Sequence, residues 1–284
     1  MLLAGLAAVA GCGPTAGEAP PARVGLTSTA AASAAATETE TKNESATRAE
    51  PETRGPSPFP AQLAALHLRC ADRGCREGVG LIVGPAGVVG PDGQPNRCTG
   101  VLVAPDRFLT AGHCLPPEAR GAGRSCDGLF VAFPATDARP MEWTACARVV
   151  DAPAVRDDEV LRPDWALVEL RSTVPRALVP VHAADPPPDA IVEVVAVDPH
   201  PIYRTQHAIG TRLCRVRTAA EALAIFGPDA ARVGWLSDCP TVNGNSGAPV
   251  LDHEGRVRGI LHGGSNRRQA IGVTTRIPAA LRRR

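Results

Sequence analysis

The sequence predicts an all-β fold, because short apolar runs rich in β-branched residues alternate with Pro, Gly and Asp turns from residue 79 onward. Twelve such runs fit a barrel or a sandwich better than β-α-β units. The predicted strands are Val79–Val83, Thr99–Val103, Phe108–Ala111, Leu129–Phe133, Cys146–Val150, Ala166–Leu170, Ile191–Val197, Ala208–Val216, Val233–Leu236, Pro249–Leu251, Val257–Leu261 and Ile271–Ile277. One helix is predicted after the capping box of Thr218 and Glu221, ending at Gly227-Pro228.

Composition excludes several classes of protein. The 284 residues carry 30 basic and 29 acidic side chains, so the net charge of +1 does not indicate the excess of basic residues that is typical of nucleic-acid binding. Aromatic residues make up 3 %, which argues against a stacking platform for single strands. No apolar run approaches the roughly 20 residues of a membrane-spanning helix.

The N-terminal region is predicted to be an export signal and a tether. Residues 1–11 form a short apolar run typical of a signal peptide, and it ends in Val9-Ala10-Gly11-Cys12. That ending resembles the bacterial lipobox, which implies a lipid anchor on Cys12; the alternative is an uncleaved apolar tail with a stray thiol. Residues 12–60 are rich in Ala, Thr, Ser, Glu and Pro, so we expect a flexible tether. The predicted location is the bacterial cell envelope.

The other cysteines indicate an oxidising compartment. Behind an export signal, an even count of eight predicts four disulfides, and sequential pairing is the simplest of 105 connectivities. A zinc site is disfavoured because paired C-x₂-C spacing and nearby histidines are missing. These cysteines are Cys70, Cys75, Cys98, Cys114, Cys126, Cys146, Cys214 and Cys239.

Three segments carry groups suited to nucleophilic catalysis. Cys98–Cys114 carries His113 after a predicted strand and beside its terminal cysteine, Asp164–Leu170 opens with an aspartate, and Asn243–Val250 holds Ser246 in a glycine-rich turn. A serine hydroxyl needs a base within reach, and a histidine base needs a carboxylate to fix its tautomer. Glycines let backbone N–H groups approach an oxyanion.

These segments resemble the trypsin/chymotrypsin-like serine peptidase family. The family's T-A-G/A-H-C element matches Thr110–Cys114, its D-I-A-L element matches Asp164–Leu167, and its G-D-S-G-G-P element matches Gly244–Pro249 with two changes. The resemblance implies two packed six-stranded antiparallel β-barrels, residues 61–180 and 181–284, with the active site in the cleft between them. It also implies a serine endopeptidase acting through an acyl-enzyme on a protein or peptide substrate, without a cofactor or metal.

The resemblance also assigns roles. His113 would be the general base, Asp164 its orienting carboxylate and Ser246 the nucleophile, and the N–H groups of Gly244 and Ser246 would form the oxyanion hole. Cys98 would pair with Cys114 and Cys214 with Cys239; Cys126–Cys146 and Cys70–Cys75 follow from proximity. We expect a monomer that contacts the membrane only through its anchor.

Two departures from the family affect the expectations. Asn245 stands where animal members carry the aspartate that receives a new N-terminal amine, so activation by that route is not expected. Pro240 stands near the position of the trypsin-like specificity aspartate, which disfavours an Arg- or Lys-directed pocket. Thr241, His262 and Gly264 are the expected substrate-binding residues. Thr241 with His262 could recognise an acidic side chain, or form a polar wall with no charge selectivity.

Two rival functions are open at this point. One is a catalytically silent peptide- or protein-binding module on a peptidase scaffold, since fold does not dictate function. The other is an α/β-hydrolase esterase. It is disfavoured because Ala248 breaks the G-x-S-x-G pattern and because the order of the three groups is His, Asp, Ser.

Overall fold

The computed structural model describes residues 64–71, 75–84, 97–153, 162–182, 184–203, 205–265, 271–277 and 281. The predicted signal peptide, the anchor at Cys12 and the tether lie outside the described residues. No helix in the described ranges is both long and apolar enough to cross a membrane.

Six strands close into the first barrel, in the order β2-β3-β4-β7-β6-β5. Short polar turns join apolar runs, and the inward side chains fill the core, where the rings of Phe108 and Phe133 meet edge to face at 5.9 Å. The strands are β2 Val79–Val83, β3 Arg97–Ala104, β4 Arg107–Thr110, β5 Phe130–Phe133, β6 Glu142–Asp151 and β7 Ala166–Leu170.

A second ring of six antiparallel strands follows, in the order β8-β9-β10-β13-β12-β11, and pairing of β11 with β8 closes it. The prediction of two six-stranded antiparallel barrels is confirmed. The strands are β8 Ile191–Pro199, β9 Gln206–Val216, β10 Gly234–Ser237, β11 Pro249–Leu251, β12 Val257–Ser265 and β13 Ile271–Arg276.

The predicted helix forms as α1, Ala219–Phe226. Thr218 and Glu221 make the reciprocal capping-box hydrogen bonds at its start, and Gly227 with positive φ ends it. Three short 3₁₀ turns were not predicted: Gly112–Cys114, Pro117–Ala119 and Pro228–Arg232.

One strand was also not predicted. β1, His67–Cys70, pairs in parallel with β9 and adds a seventh strand to the second sheet. The predicted division at residue 180 places β1 with the first barrel, and its hydrogen bonds join it both to β9 and to Ala135, which follows β5.

The four sequential disulfides are present, which confirms the predicted connectivity: Cys70–Cys75, Cys98–Cys114, Cys126–Cys146 and Cys214–Cys239. Four disulfides in one domain indicate a protein that folds in an oxidising, extracytoplasmic environment.

Candidate active site

His113 and Asp164 are brought together by the pairing of two adjacent strands. His113 lies in the 3₁₀ turn directly after β4, and Asp164 lies two residues before β7. Thr110 in β4 pairs with Ala166 in β7, so both side chains emerge at the same end of the barrel. The His113 ring bonds through Nδ1 to Oδ2 of Asp164, and the His113 backbone N–H donates to Oδ1 at 2.9 Å. The carboxylate thus fixes both the ring and the backbone of the histidine.

The surroundings of Asp164 keep it ionised. Its side chain is 10 % exposed, against 33 % for His113. Burial raises the pKa of Asp164, but the hydrogen bond and the charge of His113 outweigh burial and hold that pKa below its ordinary value. A carboxylate on Nδ1 selects the tautomer that carries its proton there. In that tautomer of the neutral imidazole, Nε2 carries the lone pair that can accept a proton.

Ser246 lies in the loop between β10 and β11, and this loop is held against the first barrel. The Thr99 backbone N–H donates to the Ser246 carbonyl at 2.7 Å, and the Gly247 N–H donates to the Leu261 carbonyl at 2.6 Å. Gly247 adopts φ +85, and a Cβ there would lie 1.9 Å from the Thr99 carbonyl oxygen. Only glycine satisfies both the backbone angle and this close approach.

Two consecutive residues of β3 connect the histidine and serine segments. Cys98 forms a disulfide with Cys114, the neighbour of His113, and Thr99 binds the backbone of Ser246. In the described part of the chain, the Ser246 hydroxyl itself makes no hydrogen bond. The structure therefore joins His113 to Asp164 directly, and it brings Ser246 to the same strand without a hydroxyl–imidazole hydrogen bond.

The predicted oxyanion hole consists of two backbone N–H groups of the serine loop. The N–H groups of Gly244 and Ser246 donate to none of the described residues. The Gly244 carbonyl accepts a hydrogen bond of 2.8 Å from the Thr99 hydroxyl, and Gly244 adopts φ +103. Sequence reasoning missed Thr99, because a threonine within a strand carries no signal of such a contact.

A cavity of about 320 Å³ lies beside the serine loop. Two of the three predicted substrate-binding residues, Thr241 and Gly264, line it, and none of the described lining side chains is charged. A Cβ on Gly264 would lie 2.4 Å from the Thr241 hydroxyl oxygen, so the glycine makes room for that hydroxyl. The lining residues are Thr241, Val242, Asn243, Asn245, Ser246, Leu261, Gly263 and Gly264.

His262, the third predicted substrate-binding residue, is not part of this lining. Its side chain is 2 % exposed, and its Nδ1 atom lies 3.7 Å from Oδ2 of Asp164. The register between β12 and β13 shifts between Leu261 and Gly263, and the extra residue is His262. Such a bulge re-aims a side chain, here towards Asp164. Burial lowers the pKa of His262 to about 4, so the ring is neutral near pH 7.

Cys98, His113 and Cys114 offer three potential metal-ligand atoms within 4.8 Å of one another. The two sulfur atoms are joined in a disulfide, and a disulfide sulfur cannot act as a thiolate ligand. This cluster therefore does not suit a metal ion.

Comparison with known proteins agrees with this architecture. The family model described as trypsin-like peptidase domain matches residues 98–260, which include His113, Asp164 and Ser246. A solved structure described as "Structure of GrC" superposes with a TM-score of 0.54 at 17 % identity, covering 73 % of this chain and 92 % of that chain. That likeness concerns the fold alone. No curated protein sequence matches the chain.

Proposed function

Because this chain belongs to the trypsin-like peptidase domain family, we propose that it is a serine endopeptidase that cleaves peptide bonds through an acyl-enzyme. The observation that carries the proposal is the attachment of two segments to consecutive residues of β3. One segment holds the hydrogen-bonded pair His113–Asp164, and the other holds Ser246. Neither the His113–Asp164 pair alone nor Ser246 alone would distinguish a catalytic site from an ordinary turn.

In the proposed reaction, the Ser246 hydroxyl attacks the carbonyl carbon of the scissile bond, and Nε2 of His113 accepts its proton. Asp164 keeps the acquired positive charge on the ring stable and prevents the ring from turning. The N–H groups of Gly244 and Ser246 donate to the oxyanion. His113 then protonates the leaving amine. To hydrolyse the acyl-enzyme, His113 accepts a proton from a water molecule, which attacks the acyl carbon, and His113 returns the proton to Ser246 as the acyl group leaves.

The hydroxyl–imidazole hydrogen bond is expected to form when substrate binds. Catalytic hydrogen bonds are often long in free enzymes and tighten in the complex. The cavity lined by Thr241 and Gly264, whose described lining is uncharged, would hold the side chain that precedes the scissile bond. Its lining favours an uncharged residue there over arginine or lysine.

The experiment that tests the function is active-site labelling of the full chain with a fluorophosphonate probe, which reacts with activated serines. We expect the wild type to be labelled on Ser246 and Ser246→Ala to be unlabelled. Ser125→Ala is the matched control, because Ser125 is an exposed serine of the first barrel whose hydroxyl accepts from the nearby Asp127 backbone N–H. Wild-type protein that is folded and oxidised, yet neither reacts nor cleaves a peptide library, would contradict the proposal. Peptide binding without turnover would favour the silent binding module.

The cellular location is a further proposal. Four disulfides agree with export, and the Val9–Cys12 motif would supply the lipid anchor. Metabolic labelling with a fatty-acid analogue tests this, with Cys12→Ser as the variant expected to lose the label.

A further inference from the structure

Asn245, the residue before the proposed nucleophile, is tied to the second barrel by its side chain. The residue is 1 % exposed, and its amide uses both ends. Oδ1 accepts from the Val242 N–H at 2.8 Å, while Nδ2 donates to the Val197 carbonyl and to Oδ1 of Asp198, both at 3.0 Å. A buried amide with three partners holds one conformation of the loop that carries it.

Asp198 is in turn held by its own barrel. It lies near the end of β8, and the same Oδ1 atom accepts from the guanidinium of Arg212 in β9. Gly210, also in β9, leaves space for the carboxylate, since a Cβ there would lie 3.2 Å from Oδ2 of Asp198. The side chains of Asp198 and Arg212 are 33 % and 18 % exposed, so this pair is only partly screened by water.

We infer that Asp198 is a positioning residue for the oxyanion loop, residues 242–247, and that it acts through Asn245. This inference rests on the proposed function. The carboxylate stands on β8, and the loop carries the neutral amide that binds it. The loop is then fixed by partners within the barrel, and its catalytic conformation needs no newly created N-terminal amine.

The chemistry of the contact predicts a graded response at position 198. Asp198→Ala removes the acceptor of Nδ2 and leaves the Arg212 guanidinium without its carboxylate. Asp198→Asn keeps one oxygen at the same place for both donors, and it loses the charge and the second acceptor oxygen. Neutral hydrogen bonds are about half as strong as charge-assisted ones. The asparagine variant therefore keeps part of the interaction that the alanine variant loses, and its turnover should be affected much less.

The test combines turnover with amide hydrogen exchange of the full chain, followed by mass spectrometry of peptides that cover residues 242–247. In Asp198→Ala we expect at least about tenfold faster exchange in this loop alone. We also expect kcat to fall about 10²-fold, the effect of losing an oxyanion donor, with KM within a few-fold of wild type. Asp198→Asn should lose less than about tenfold in kcat. Asp127→Ala is the control, because Asp127 also binds an arginine, Arg171, in the first barrel.

Exchange distinguishes the failure of this inference from the failure of the proposed function. Faster exchange confined to the loop in Asp198→Ala, in a chain whose wild type has no turnover, would refute the peptidase and support the positioning role. Loop exchange and kcat equal to those of Asp127→Ala would overturn the inference, and so would faster exchange across both barrels. If Asp198→Ala does not fold, Arg212→Ala decides: loop exchange as slow as in the wild type would overturn the inference.

Discussion

Thr99 and Gly244 are joined by a hydrogen bond of 2.8 Å across the two barrels, from the threonine hydroxyl to the glycine carbonyl. The same hydroxyl accepts from the Val197 N–H at 3.0 Å. One fully buried side chain of the first barrel therefore links the proposed oxyanion loop to the end of β8.

Replacement of Thr99 by valine should lower both stability and turnover. Valine keeps the shape but leaves the Gly244 carbonyl and the Val197 N–H without this partner. Unsatisfied buried polar groups cost about 1–3 kcal/mol each. We expect a lower midpoint of urea unfolding and a kcat reduced at least about tenfold, since a loosened oxyanion loop stabilises the transition state less. Thr144→Val is the matched control, because the hydroxyl of this buried threonine bonds the Ser172 hydroxyl at 2.7 Å, away from the serine loop. An equal loss of kcat in both variants would contradict the assignment.

Asp164→Asn should abolish most activity while leaving the fold intact. The amide has nearly the shape of the carboxylate, but it can donate to Nδ1 of His113 and so select the tautomer in which Nε2 is protonated. The expected loss in kcat is about 10⁴-fold, with little change in KM. Steady-state kinetics on a peptide substrate measures it. Asp106→Asn, in the turn before β4, removes a charge that binds Arg107 and should retain wild-type kinetics. Activity within tenfold of wild type in Asp164→Asn would argue against the proposed roles.

The strands were predictable because their signal is local. All twelve predicted strands form, since a short apolar run bounded by turn residues can be recognised within a few positions. β1 escaped prediction because four residues with a single buried apolar side chain, Leu68, carry almost no pattern. The strand pairs with residues 206–209 of β9, which lie outside the short pairing of β9 with β10 at residues 215–216.

The site was predictable only where its residues sit in recognisable motifs. The contacts that hold the loop join residues that are far apart in the sequence: Asn245 and Asp198 by 47 positions, Thr99 and Val197 by 98, and Thr99 and Gly244 by 145. No local pattern encodes such pairs, because the first depends on packing within the second barrel and the two contacts of Thr99 depend on how the barrels pack against each other.

Substitution of His262 tests whether this residue acts by packing against Asp164, where the structure places it, or by lining the substrate cavity, as the sequence predicted. Its bulge places the ring against Asp164, away from the cavity in which the sequence predicted it. We expect His262→Ala to lower kcat about tenfold, equivalent to about 1.4 kcal/mol in the barrier, because Asp164 loses a packing partner. The preference for the residue before the cleaved bond should stay the same. Digestion of a peptide library by wild type and variant measures both quantities. If the wild type prefers an acidic residue before the cleaved bond and His262→Ala loses that preference, His262 contacts the substrate, as the sequence predicted.

Acid should destabilise the fold through its buried histidines. His207 is 3 % exposed and bonds the guanidinium of Arg97 through Nε2 at 2.9 Å. Burial, together with the charge of Arg97, lowers the pKa of His207 from 6.5 to about 4. The unfolded chain therefore binds more protons between these values. Stability is fully present above about pH 6.5 and is lost as the pH falls towards about 4, by an amount on the order of a few kcal/mol.

Urea unfolding of the oxidised protein at about pH 7.5 and about pH 4.5 measures this loss. His207→Gln keeps an oxygen acceptor for Arg97 and does not titrate, so its loss on acidification should be clearly smaller than that of wild type. His262, with a pKa also lowered to about 4, accounts for part of what remains. His253→Gln is the control, because that ring is 83 % exposed and should leave the pH dependence unchanged. If His207→Gln and His253→Gln lose the same stability on acidification, His207 is not a source of the acid sensitivity.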